Sequence, residues 1–482
     1  MYRSPLRLAF FLIALAFTLF ALPQMAQAAD GSVGSAGSQN TAEGTGALQN
    51  LATNGVRNTA VGFDALLSNT GGGANTAIGA AALASNTANN NTACGSYALN
   101  ANTTGDGNNA TGIDALMLNT FGSDNTANGA SALFNNTTGG SNTANGSNAL
   151  FHNTTGGQNT ANGFSALYSN TAGNNNTANG NFALVNNTTG VQNTANGSGA
   201  LDGNTTGNNN TANGWLALLG NTTGSNNTAD GVAALQSNKT GIRNTANGNQ
   251  ALLLNKTGNS NTAEGFQALA NNTGSFNTAL GFNAGASLTI GSNNLDILAP
   301  GVAGESNTMR IGTGKQTATY ITGISGVTVA NGVGVIIDST GHLGTVQSSA
   351  RFKTAIKPMD KTSEAILALK PVTFRYKQEL DPDGIPQFGL VAEEVEKVNP
   401  DLVVRDADGK VYSVRYEAVN AMLLNEFLKE HRDVAAQQST IAELKTTVAQ
   451  QQRQIEALTA TVQKVSDQVA LSKPAPQLVA NP

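Results

Sequence analysis

The stretch N-T-A-N-G-S-N-A-L-F-H-N-T-T-G-G-Q, Asn142 to Gln158, decides how most of this chain folds. Its opening triplet, Asn-Thr-Ala or a close variant, recurs at Asn40, Asn58, Asn75, Asn91, Asn108, Asn125, Asn142 and Asn159, then at Asn176, Asn193, Asn210, Asn227, Asn244, Asn261 and Asn277. The step is seventeen residues almost throughout, with slips of one near the two ends. A fixed period over fifteen copies marks a stacked array. Inside the unit, the turn signals Asn145-Gly146 and Thr155-Gly156-Gly157 flank the apolar group Ala149, Leu150 and Phe151. At about 3.3 Å per residue, the unit suits a coil of two or three short strands and is too short for two helices with their connections.

A single coil cannot stand alone. Its roughly four apolar residues do not offset the backbone ordering cost, roughly 1–2 kcal/mol per residue. Stacked coils share backbone hydrogen bonds and place Asn over Asn and Thr over Thr, so ladders form along the axis. The fourth position shows such a file: Val61, Ile78 and Cys94, then Asn128, Asn145, Asn162, Asn179, Asn196, Asn213 and Asn247. Cys94 is expected there as a small semi-buried side chain with no redox role. Disorder is the competing reading of an Asn/Thr/Gly-rich stretch, but a disordered linker is constrained in composition and not in register. A flat threonine array that binds ice or a glycan is a further reading. The array weakly resembles the parallel β-roll heads of trimeric bacterial adhesins, whose coils are shorter. It departs from them in that Gln477 to Pro482 is not the closing strand of an outer-membrane barrel.

Residues 1–28 carry Arg3 and Arg7, an apolar run from Leu8 to Leu22 and then Ala26-Gln27-Ala28, the pattern of a secretory signal peptide. Removing both arginines takes the formal charge from -5 to -7, which gives no electrostatic reason to expect nucleic acid or an anionic membrane as partner. After cleavage no transmembrane segment is expected. One cysteine allows no intramolecular disulfide. The expected location is secreted or at the cell surface.

From about Ala284 the period gives way to β-branched runs cut by glycines, Tyr320–Val329 and Gly334–Val346 among them. These predict short strands in a neck over 291–347. Gly312-Thr313-Gly314-Lys315 fails as a phosphate loop, because Met309 and Gln316 stand where Gly and Ser/Thr are required. After Ser348 the composition turns charged. Lys361–Leu369 predicts a short amphipathic helix stopped by Pro371, Val372–Tyr376 a strand, and Asp408-Gly409 the turn of a hairpin. His152, His342 and His431 fall in three different contexts, so neither a histidine triad nor a zinc site is expected, and no metal or cofactor is called for.

Without histidine, a serine nucleophile needs another base, and lysine is the usual substitute. Lysine, with an ordinary pKa near 10.4, accepts a proton only where burial disfavours its charge. Ser348 and Lys353 in Q-S-S-A-R-F-K are such a pair, and alone they would mean little. Around them stand S-S-A-R-F-K-T-A-I-K-P (Ser348–Pro358), K-P-V-T-F-R-Y (Lys370–Tyr376), F-G-L-V-A-E-E-V (Phe388–Val395) and V-R-Y-E-A-V-N-A-M-L-L-N (Val414–Asn425). In that order they resemble the self-cleaving intramolecular chaperone that ends phage endosialidase tailspikes and other tail fibres, found also in the myelin regulatory factor. The resemblance covers roughly Ser348 to Arg432. It implies a cut between Gln347 and Ser348, with Ser348 as nucleophile, Lys353 as general base and Arg351 as a motif residue. Ser349 departs from the family's usual aspartate, which puts the speed of cleavage in doubt.

Downstream, Phe427, Val434, Ile441, Leu444, Val448, Ile455, Leu458, Val462, Val465 and Val469 follow a heptad pattern, with Gln437 and Gln451 interrupting it. β-branched a residues with leucine at d lean towards a dimer, whereas the resemblance implies a homotrimer. The expected molecule is mainly β: a linker over 29–39, a parallel β-roll or β-helix stalk over 40–290, the neck, and a small α+β chaperone domain over 348–426. A coiled coil over 427–470 and a loose tail over 471–482 complete it. Its expected function is that of an exported trimeric fibre, meeting a cell-surface or glycan receptor, whose chaperone domain drives assembly and cuts itself off as a serine endopeptidase. The alternatives are a non-enzymatic adhesin whose C-terminal domain only trimerises, and an ice- or glycan-binding array.

Overall fold

A computed structural model describes residues 39–52, 54–406 and 408–472. The expected signal peptide, most of the linker after it, and the tail from Lys473 and Pro474 onward lie outside the described residues. The chain divides into two compact units, one ending at Tyr320 and one starting at Ile321.

The first unit is a parallel β-solenoid. Each coil carries one strand of three residues, from β1 (Thr41–Glu43) to β17 (Met309–Ile311), and each strand pairs in parallel with the next. Between β7 (Thr143–Asn145) and β8 (Thr160–Asn162), Thr143 lies beside Thr160, Ala144 beside Ala161 and Asn145 beside Asn162. The two or three strands expected per coil reduce to one because left-handed residues bend the chain repeatedly. In the Asn142 coil these are Gly146 (φ 141°), Asn148 (φ 59°), Leu150 (φ 52°) and Gln158 (φ 60°).

A left-handed non-glycine residue costs roughly 1–2 kcal/mol. Leu150 tolerates it because its side chain is fully buried, and complete burial of a leucine contributes about 1.5–3 kcal/mol. Its amide also donates to the Ala166 carbonyl of the next coil at 3.0 Å. Amides point both ways along the stack: Gly146 and Asn148 donate back to Asn128 and Ala130, while Leu150 and His152 donate forward to Ala166 and Tyr168. At Gly146 no side chain fits, since a Cβ would lie 2.4 Å from the Gly163 carbonyl oxygen.

The core of the coil is three small or medium apolar groups, Ala144, Ala149 and Leu150, and two fully buried amides, Asn142 and Asn153. Asn142 Oδ1 accepts from the Asn159 amide at 3.0 Å and from Asn159 Nδ2 at 3.1 Å, while Asn142 Nδ2 donates to the Gly156 carbonyl at 2.9 Å. Asn153 Nδ2 donates to Asn136 Oδ1 at 2.7 Å and to Gly156 at 2.9 Å. Each buried amide left unpaired costs about 1–3 kcal/mol, so these two ladders hold together a core too poor in carbon to hold itself. A third, exposed ladder runs along the last strand residue, with Asn145 Nδ2 donating to Asn162 Oδ1 at 2.8 Å. Cys94 belongs to this third file and is exposed, not semi-buried, because only the middle residue of a three-residue strand faces the core.

The ladder runs on past residue 290, through β16 (Leu295–Ile297) and β17, inside the segment expected as the neck. In β16 the core position held by Ala279 in the preceding coil is taken by Asp296. Asp296 is buried, and neither carboxylate oxygen has a hydrogen-bond partner. Burial, reinforced by the nearby Glu305 charge and opposed by Arg310, pushes its pKa up to about 6. A carboxyl raised above its unfolded value of about 3.9 loses native stability as pH rises between the two values. Asp296→Asn is therefore expected to raise the melting temperature of the intact chain at pH 7.5, with the gain fading towards pH 4. Equal gains at both pH values in thermal melts would refute this.

The second unit opens with a hairpin of β18 (Val335–Ile337) and β19 (Leu343–Thr345), then a single 3₁₀ turn at Ala350–Phe352. The amphipathic segment forms a 3₁₀ helix, Asp360–Ala368, in place of the expected α-helix. Spacing by three suits it, since Ser363, Ile366 and Leu369 are its inward residues and a 3₁₀ helix aligns i with i+3. A hairpin of β20 (Val372–Phe374) and β21 (Gln387–Gly389) follows, then α1 (Ala392–Val398). A third hairpin, β22 (Val403–Arg405) with β23 (Val411–Val414), turns at Asp408-Gly409 as expected. The unit ends in the 56-residue helix α2 (Tyr416–Leu471). Among the described residues its buried apolar core is Val395, Leu402, Val403, Val414 and Met422.

Candidate functional site

Ser348 and Lys353 come together through local geometry. Ser349 is extended (φ -63°, ψ 139°), the 3₁₀ turn reverses the chain, and Lys353 leaves extended (φ -120°, ψ 145°). The turn closes with Phe352 and Lys353 amides donating to the Ser349 and Ala350 carbonyls at 3.0 and 3.1 Å. This brings Lys353 Nζ to 3.2 Å from Ser348 Oγ. Arg351 stacks its guanidinium 4.6 Å from the centre of the Phe352 ring. Gln347 immediately precedes the pair, and the Ser349 side chain makes no cap to the turn. Ser348, Lys353 and Phe352 are all exposed in the single chain.

A second serine–lysine contact lies 15 residues downstream of Ser348 and was not legible beforehand. Ser363, fully buried, donates its hydroxyl to the Glu426 carboxylate and accepts from Asn425 Nδ2 at 2.7 Å. Lys429 Nζ lies 3.4 Å from the same hydroxyl, 2.7 Å from Glu426 Oε1 and 3.5 Å from Glu364. The ammonium of Lys429, then the Ser363 hydroxyl, holds the Glu426 carboxyl below its usual range, and Glu426 in turn raises Lys429. A lysine clamped by two carboxylates stays cationic and accepts no proton. This cluster therefore ties the 3₁₀ helix to α2. Lys353, in contrast, makes no ion pair among the described residues.

Residues 348–404 match the family model for the chaperone of endosialidase. The match starts on Ser348 and runs through the 3₁₀ turn, the Ser363 helix, both strands of the β20–β21 hairpin, α1 and the first residues of β22. No curated protein and no solved structure matches the chain. Within the chaperone domain, Tyr416 Oη accepts from the Leu390 amide at 3.1 Å, joining the base of α2 to the β21–α1 corner. An apolar groove of about 540 Å³ opens beside that contact, lined by Ile366, Leu369, Val372, Phe388, Val419 and Leu423.

The remaining sequence expectations fall apart from this site. His152 packs edge-on against Phe151 and Tyr168 in the solenoid, His342 lies 3.8 Å from Asp338, and His431 stacks on Phe427 of α2. The heptad residues of α2 are exposed along its length, from Phe427 to Val469.

Proposed function

We propose that the chain is an exported homotrimeric fibre whose chaperone domain assembles three copies and then cuts its own backbone between Gln347 and Ser348. The 3.2 Å contact between Ser348 and an acid-free Lys353 carries this reading. In the reaction, neutral Lys353 takes the Ser348 hydroxyl proton and Oγ attacks the Gln347 carbonyl carbon. The Gln347–Ser348 C–N bond breaks as the proton passes from Lys353 to the departing Ser348 amine, leaving Gln347 esterified to Oγ. Water then hydrolyses the ester to the Gln347 carboxylate and the free hydroxyl. The nucleophile is covalently adjacent to its target, and such proximity can contribute roughly 7–11 kcal/mol when geometry is right.

The exposure of Lys353 supports a requirement for assembly: one chain does not dry the amine, so neighbouring chains must. Support for self-association comes from α2, whose exposed apolar stripe needs partner helices, and from the small buried core of the unit, five apolar residues among those described. The expected result in sedimentation equilibrium is a mass of three chains for Ser348→Ala. Deleting 427–482 is expected to give a monomer that does not cut. A dimer, or a cutting monomer, would refute the assembly requirement. The solenoid is then the part left to attach the fibre at a surface.

Ser349, in place of the aspartate usual in the resembling motif, favours the non-enzymatic alternative, a trimerising domain that stays attached. N-terminal sequencing of purified protein tests the two, since a new start at Ser348 is expected only from the cut.

A further inference from the structure

Large exposed apolar residues are ordered along the solenoid. In the file just after the strand glycine, Phe63, Ile113, Phe164, Trp215 and Phe266 recur every third coil, at steps of 50 or 51 residues, and the file closes with Phe282 in the following coil, stacked on Phe266 at 5.3 Å. The five that recur are between 42% and 60% exposed. With one coil advancing about 4.8 Å, consecutive members stand about 14 Å apart. Each gap holds two smaller residues, such as Ala80 and Ser96 or Ala130 and Ser147, and the second is always a serine or, at Asn249, an amide. Coils that carry Ala, Ser or Asn at this position close as well as those that carry Phe or Trp, so solenoid stability does not explain the bulk. Identity varies among Phe, Ile and Trp while exposed apolar character persists, which is the mark of a contact surface.

We propose that this file binds a neutral polysaccharide chain lying along the solenoid axis, its sugar rings stacking on the aromatic faces of Phe63, Phe164, Trp215 and Phe266 and packing against Ile113 between them. The proposal names the ligand class for the attachment role above and rests on that reading. Charge selects the ligand: from Phe63 to Phe266 the file holds no ionisable residue, so an anionic polymer finds no cation there. An aromatic face matches the C–H face of a sugar, and the serines and Asn249 between rings offer hydrogen bonds to hydroxyls. Ring repetition suits a polymer with its own translational repeat. A second copy of the chain fits less well. Placed on a three-fold axis, the three copies of this file would meet level with level, so rings would meet rings and the Ala and Ser levels between them would stay unfilled, far from interior packing density.

Trp215 is the only tryptophan in the chain and reports on the file directly. The full chain is titrated with dextran, laminarin, mannan, xylan and hydroxyethyl cellulose while Trp215 emission and acrylamide quenching are read. At least one polymer is expected to shift emission to the blue and lower the quenching constant about twofold, as one ring face is covered. The triple variant Phe63→Ala/Phe164→Ala/Phe266→Ala, which keeps Trp215 and copies the alanines native to this file, is expected to bind about 100-fold more weakly through lost multivalency. The proposal is overturned if none of the five polymers protects Trp215, if the triple variant binds equally well, or if Trp215 is already shielded without polymer in a concentration-dependent way. A sedimentation mass on the same sample separates the causes: a trimer that ignores every polymer overturns the ligand alone, and a lesser assembly overturns the fibre.

Discussion

Ser348→Ala is expected to run as one intact band where the natural chain, counted from the proposed signal cleavage, is expected to give fragments of roughly 320 and 135 residues. Removing a nucleophile costs at least about 10³-fold in rate, enough to turn complete processing into none on the timescale of expression. Lys353→Arg keeps a cation at the same place but cannot be neutralised, so it is expected to be as silent as the serine variant. The Lys429→Arg control keeps the acid clamp around Ser363 and is expected to cut normally. If Lys353→Arg cuts at the natural rate, the amine is not the base, and the 3.2 Å contact is incidental.

Gly146→Ala is expected to be among the most damaging single methyl groups in the solenoid. Its Cβ would lie 2.4 Å from a backbone oxygen of the next coil, which has no flexible side chain to move aside, and the residue holds φ 141°. Strain of the conformation and the forced separation of two coils together cost about 3–5 kcal/mol. In a quasi-one-dimensional stack this loss falls on one interface. Circular dichroism melts of the variant are thus expected to show an added early transition, with the remaining coils melting later. Ser147→Ala, one residue on, is expected to melt like the natural chain. A single unchanged transition for Gly146→Ala would mean that the coils do not stack as closely as described.

Periodicity made the stacking legible, because only a register-keeping structure constrains residue identity every seventeen positions. It could not show which asparagines are inside. Asn142 and Asn153 are buried and Asn145 is exposed, yet all three look alike in the sequence; parity about a strand only three residues long separates Asn142 from Asn145, and Asn153 turns inward well outside that strand. Leu150 misled the strand count, since nothing in a leucine announces a left-handed backbone. The end of the solenoid was hidden by Asp296, a charge at a position where the period demands alanine. At the candidate site, the closeness of Ser348 and Lys353 was legible because one tight turn joins them. The Ser363–Lys429 cluster was not, because 66 residues separate its members and only the packing of a 3₁₀ helix on α2 brings them together.

The sameness of the middle coils has one more outcome. Because the coil starting at Asn142 offers a neighbouring chain nearly the same edges as those starting at Asn125 and Asn159, three copies brought together by their repeats alone could settle one coil out of phase with little penalty, as a zip closes with a tooth skipped. Fidelity of alignment must then be set from outside the repeats, by a segment whose features occur only once, and 321–472 is where this chain keeps its unrepeated sequence.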